Sequence, residues 1–149
     1  MTIGSRGRLR PARRHRSRGQ TLVEFALGIT VFLTILIGLV DLARAAFLLN
    51  GVSEAARSIA RVTSLHPGSG TLGSSTETTS AVTSERALVP GLSVTSYACL
   101  DLSGATVTGT CTHGDWVKVT VSTSFQPILP LFRPFAPFTF STASSAKIQ

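Results

Sequence analysis

The sequence predicts an α+β protein: one long N-terminal helix, transmembrane in its first half and amphipathic in its second, then a small antiparallel β-sheet domain. Three observations predict it. Twenty residues with a single charge follow a block of arginines, an apolar stripe at three-four spacing continues beyond them, and past Pro90-Gly91 the apolar period becomes an alternation. A length of 149 residues suits one modest domain beside an anchor. The expected organisation is a basic cytoplasmic leader at 1–19, the helix at 20–62, a flexible linker with a short helix at 63–91 and a β-rich extracytoplasmic domain at 92–149.

The leader carries the charge. Arg6, Arg8, Arg10, Arg13, Arg14, Arg16 and Arg18 precede the first acid, Glu24, so the formal excess of +7 lies ahead of the apolar run. Clustered arginines bind phosphate by releasing counterions. Here no aromatic residue interleaves them, so no nucleic-acid partner is expected. A basic block before an apolar run instead orients a single-pass helix in the inner membrane, its N-terminus cytoplasmic and its C-terminus extracytoplasmic.

Residues 21–40 read TLVEFALGITVFLTILIGLV, with Glu24 the only charge and no proline. Twenty helical residues rise roughly 30 Å, the thickness of a bilayer core. A cleaved secretory signal is the competing reading, because Ala43-Arg44-Ala45 has the small-x-small pattern. The long basic block, the long apolar run and Asp41 just before that site all count against it. Within the run, Ala26, Thr30, Thr34 and Gly38 recur every four residues, a small-residue strip that admits a close helical neighbour. Glu24 is costly in lipid unless it lies shallow or has a partner.

Beyond the run, Leu42, Ala45, Leu49, Val52, Ala56 and Ile59 form the stripe of an amphipathic helix, and Arg44, Glu54, Arg57 and Arg61 avoid it. The stripe packs either on the chain's own domain or on another subunit. Asp41 with Arg44, and Glu54 with Arg57, stand three apart, close enough for gains of about 0.2 to 0.5 kcal/mol each. Asn50-Gly51 is a turn-favouring pair, so continuity of the helix through it stays open. His66-Pro67-Gly68-Ser69-Gly70 marks the helix end.

The polar stretch 69–80 reads as a flexible connection, and 83–89 as a short helix stopped by Pro90-Gly91. Leu92 and Val94 begin an alternation, and Val117, Val119 and Val121 line one side of a strand at 115–125. Phe138, Phe140, Ala146 and Ile148 suggest a last strand beyond a proline-bearing loop at 126–137. So small a sheet profits from a staple. Cys99 and Cys111 supply one on the oxidising side of the membrane, a disulfide contributing about 2 to 4 kcal/mol. Zinc held by the cysteines and His113 is a rival short of ligands, and free thiols are another.

The string Arg18-Gly19-Gln20-Thr21-Leu22-Val23-Glu24-Phe25 resembles the prepilin-peptidase site of type IV pilin-like proteins: glycine, four residues, glutamate, then an apolar helix. With DLARAAFLLNGVSEAARSIAR and VKVTVSTSFQPILPLF further on, the chain resembles the TadE-like family of tight-adherence, Flp-type pilus assembly proteins. The resemblance implies cleavage after Gly19, with Gln20 the new N-terminus and Glu24 its fifth residue. It implies prepilin peptidase, other pilin-like subunits and pilus assembly proteins as partners. Phe25 stands where the small major pilins often carry tyrosine, and the chain is longer than they are, so a minor structural component is implied rather than the bulk subunit.

Catalytic chemistry is missing from the pattern. The sequence holds no phosphate-cradling glycine loop, no paired histidines at metal spacing and no Gly-x-Ser-x-Gly elbow. No enzymatic activity, cofactor, metal or small-molecule substrate is expected. Two other readings remain: a pseudopilin of a secretion system, separable by genomic neighbours, and a membrane-anchored or secreted binding domain. N-terminal mapping separates these designs. Gln20 supports the pilin-like reading, Ala46 the secreted one and Met1 a plain anchor.

Overall fold

The computed structural model describes residues 17–68, 70–107 and 111–149. Arg6, Arg8, Arg10, Arg13, Arg14 and Arg16, with His15, lie outside the described residues, and with them most of the expected leader. The chain divides into two compact units between Ile37 and Gly38. Helix α1, Ser17–Leu65, is continuous by its backbone hydrogen bonds. Helix α2 is Thr76–Leu88, and the strands are β1 Ser93–Leu100, β2 Thr106–Val107, β3 Trp116–Phe125 and β4 Phe138–Lys147, with a 3-10 turn at Pro130–Phe135.

Asn50-Gly51 does not break α1. A Cβ on Gly51 would meet Cγ2 of Val89 at 2.8 Å, so the glycine is a notch that receives the residue capping the end of α2. Burial of Val52, Ala55 and Ala56 on the next turn holds the backbone helical against the glycine's intrinsic cost of about 1 kcal/mol.

Helix α2 starts within the stretch expected to be a flexible connection. Ser75 is its N-cap, accepting a hydrogen bond from the backbone N–H of Thr78 at 3.2 Å, and Glu77 and Arg86 sit at the ends that suit their charges. Thr79 and Thr83 turn their hydroxyls back onto carbonyls one turn earlier, at 2.9 Å each. The Ser75 hydroxyl donates to Thr78, Thr78 to Thr63 of α1, and Thr63 to the Ile59 carbonyl, at 2.8, 3.4 and 2.8 Å. That chain satisfies two buried threonines and ties the two helices together.

The sheet is antiparallel in the order β2-β1-β3-β4. Strand β3 alternates cleanly, turning Val117, Val119 and Val121 onto Val52, Ala55, Ala56, Ile59 and Ala60 of α1. Val82, Val89, Leu92 and Ile148 complete the core. Each buried valine or isoleucine stabilises by about 1.5 to 3 kcal/mol, and the alanines let the sheet approach α1 closely. A bulge between Val94 and Ser96 shifts the register of β1 against β3. Cys99 and Cys111 form a disulfide with Cα atoms 5.7 Å apart, closing the far end of the sheet. Strand β2, two residues long, is too short to be seen as an alternation. It is held beside β1 by Asp101, whose carboxylate accepts from the N–H groups of Ser103 and Ala105 at 2.8 and 2.9 Å.

Candidate functional site: the apolar helix and the Asp41 clamp

From Gly19 onward α1 is long and apolar enough to cross a membrane, and none of its most apolar window is buried within the protein. Gly19 and Gln20 lie exposed in the first turns, and Glu24 is exposed one turn further on. Leu22, Phe25, Phe32 and Leu36 are exposed apolar side chains of the same stretch. Ala26, Thr30 and Thr34 are exposed as well. The Thr30 hydroxyl donates to the Ala26 carbonyl at 2.7 Å and that of Thr34 to the Thr30 carbonyl at 2.8 Å. Both hydroxyls are thus satisfied within the helix, as an apolar solvent requires. Nothing lies within 4 Å of where a Cβ would stand on Gly28 or Gly38.

The residue after the apolar run is the best-connected acid of the sheet-bearing unit. Asp41 is buried, and its carboxylate accepts from the N–H of Ile128 at 2.9 and 3.1 Å and from the N–H of Leu129 at 2.9 Å. Prolines at 127, 130, 134 and 137 deprive this loop of donors and of strand pairing, so the amides at its start take an acceptor from elsewhere. Arg44 adds an ion pair to Asp41 at 3.2 Å, and its guanidinium lies 5.5 Å from the Phe125 ring centroid. Phe125 in turn stacks on Phe140 at 5.9 Å. The Leu129 and Ile128 amides, with a smaller contribution from Arg44, hold the Asp41 carboxyl below the usual carboxylate range despite its burial. The i,i+3 spacing to Arg44 revealed only the lesser of these partners. Asp41 occupies the buried ridge that runs through Ala45, Leu48, Val52, Ala55 and Ile59, an unusual place for an acid and the one signal in the sequence of a long-range role.

The expected packing stripe divides. Val52, Ala56 and Ile59 are buried against the chain's own sheet and Ala45 is half-buried. Leu42 and Leu49 are turned outward, 67% and 47% exposed. The sheet selects the neighbouring ridge, 41–45–48–52–55–59, which shares only part of the predicted one. Phe47 is exposed too, and with Val40, Ala43, Leu48, Pro90 and Phe125 it lines an open groove of about 520 Å³. A second cavity, about 690 Å³, lies between Arg44, Pro127, Ile128 and Arg133.

Both cysteines are taken up in the disulfide, so no thiolate stands beside His113 to ligate zinc, and neither thiol is free. Among the described residues no group of three or more histidine, cysteine or acidic side chains could hold a metal.

No curated protein and no solved structure matches the chain significantly. Residues 19–61, from the glycine at the head of α1 to the arginine near its end, match the family model described as TadE-like protein, which points to tight-adherence pilus assembly.

Proposed function

We propose that this chain is a pilin-like minor structural component of tight-adherence pilus assembly, inserted in the inner membrane by α1 and trimmed after Gly19 by a prepilin peptidase. The observation that carries the reading is the coincidence of the family match with the processing pattern. The match begins at Gly19, and Glu24, five residues later, is the only charge in the apolar run that follows. Hydrolysis of the Gly19–Gln20 bond discards the arginine block with its C-terminal carboxylate and leaves a new amine on Gln20.

An α-amine has a reference pKa of about 7.7 to 8.0 and is mostly protonated at neutral pH. In a low dielectric it pairs with the Glu24 of a neighbouring subunit and sets the stagger between packed helices. Either charge left unpaired there is costly. The Ala26, Thr30, Thr34 and Gly38 strip and the outward Leu42 and Leu49 are the surfaces on which other pilin-like subunits and assembly proteins pack. The disulfide fits an extracytoplasmic sheet, hence a cytoplasmic N-terminus.

The test is mass-spectrometric mapping of the N-terminus of membrane-extracted protein, coexpressed with a prepilin peptidase. The expected terminus is Gln20, and Gly19→Val is expected to retain the leader. A terminus at Met1 or Ala46 in the parent chain would refute processing, and unchanged association of Glu24→Gln with partner pilins would refute the charge pairing.

A further inference from the structure

We infer that the proline-bearing loop 127–137 is a lipid-binding foot, which seats Phe132 and Phe135 in the headgroup layer of the bilayer that α1 crosses. The inference rests on the reading of α1 as a membrane anchor.

Position comes first. The loop is hydrogen-bonded through Ile128 and Leu129 to Asp41, the residue that directly follows Val40 at the end of the apolar run. Wherever that run ends at a bilayer surface, the loop is held at the same level. Its composition suits that place. Ile128 is 52% exposed, Phe132 45% and Phe135 73%, grouped in one short segment, whereas Leu88 and Leu102 stand singly on the surface. Aromatic side chains settle at the headgroup level, where apolar area is removed from water without full entry into the hydrocarbon.

The backbone is prepared for such surroundings. Four prolines between 127 and 137 carry no N–H. Asp41 takes the amides of Ile128 and Leu129, and those of Phe132 and Ala136 donate within the turn to Leu129 and Arg133 at 3.1 and 3.2 Å. A loop with four donors removed and four more accepted enters a poorly hydrating layer at reduced cost. Charge agrees. Arg133 lines a cavity beside the loop together with Arg44, whose partner is Asp41, and no acid occurs anywhere in residues 116–149, so Arg133 offers a cation to lipid phosphate. A bilayer, not a protein partner, is the occupant that the continuity with the apolar run selects.

The experiment places single tryptophans in the full chain, in a Trp116→Phe background, reconstituted in phosphatidylcholine and phosphatidylglycerol vesicles carrying brominated lipids. Phe135→Trp is expected to emit at shorter wavelength than the exposed control Leu102→Trp. It is also expected to lose more emission to lipids brominated near the headgroup than to those brominated at the chain end. Leu36→Trp, within the apolar run, is expected to be quenched best by the deeper bromines. Water-like, unquenched emission from Phe135→Trp beside a quenched Leu36→Trp overturns the foot and leaves the anchor standing. Blue-shifted but unquenched emission means that the loop packs against protein, which also overturns it. Failure of Leu36→Trp to be quenched removes the membrane reading itself, and the foot with it.

Discussion

Val31 and Val119 are the same residue in opposite circumstances. In the unit that ends at Ile37, apolar side chains of α1 face outward around the helix, and none of the apolar window is covered by protein. In the unit that begins at Gly38, Val119 is wholly buried between α1 and the strands beside it. Helix α1 runs through both, so secondary structure does not distinguish them; what covers the side chain does. One half of the helix depends on its own sheet for its apolar environment, and the other half must take that environment from outside the chain.

The sharpest way to break this contrast is to truncate one isoleucine in each half. Ile59→Ala removes a fully buried side chain and is expected to cost about 2 to 5 kcal/mol in denaturation of the detergent-solubilised chain followed by Trp116 fluorescence. Ile35→Ala, on the exposed half, is expected to leave that transition where it was. Equal shifts would mean that both halves share one cooperative core.

A somewhat smaller effect tests what the sheet owes to its staple. Replacing Cys99 and Cys111 together by serine is expected to cost about 2 to 4 kcal/mol in the same transition. Helicity of the apolar segment, read by circular dichroism in micelles, is expected to stay unchanged.

The smallest effect concerns the boundary. The carboxyls of Asp41 and Asp101 both titrate below their ordinary value, held there chiefly by the Leu129 and Ile128 amides in the first case and by the Ser103 hydroxyl and Ala105 amide in the second. A folded pKa below the unfolded one stabilises above the unfolded value, about 3.9, and that contribution is lost as pH falls through the depressed folded values. Amide exchange of Ile128 and Leu129 is therefore expected to quicken, beyond its intrinsic pH dependence, as pH falls below about 4. In Asp41→Asn the same amides are expected to exchange quickly at neutral pH, with no further acid step. Protection that ignores both changes would show that the loop is held by something other than this carboxylate.

These features differ in how far the sequence announced them. The apolar run, the alternation of Val117, Val119 and Val121 and the pairing of Cys99 with Cys111 depend on local period or on compartment, and they stand where expected. The first half of helix α2 was obscured because serine and threonine read as polar and flexible, whereas its second half overlaps the short helix expected at 83–89. Burial of Thr78 against Thr63, fifteen residues away, is what orders that stretch. The outward turn of Leu42 and Leu49 could not be read from spacing, since two adjacent ridges of one helix have nearly the same period and only the sheet chooses between them. Asp41 was hidden most deeply. Its main partners lie 87 and 88 residues away, and no local pattern joins an acid to the amides of a distant proline loop.

Thr30 and Thr34 show what a neighbouring helix would meet on the apolar half. Their hydroxyl protons are given to carbonyls of the preceding turn, so an approaching surface meets a methyl group and an oxygen that can only accept, beside the hollows left by alanine and glycine. Recognition there is a matter of contour. A companion helix would be chosen largely by how closely its profile nests, and a mismatch of a single methyl group would be felt directly.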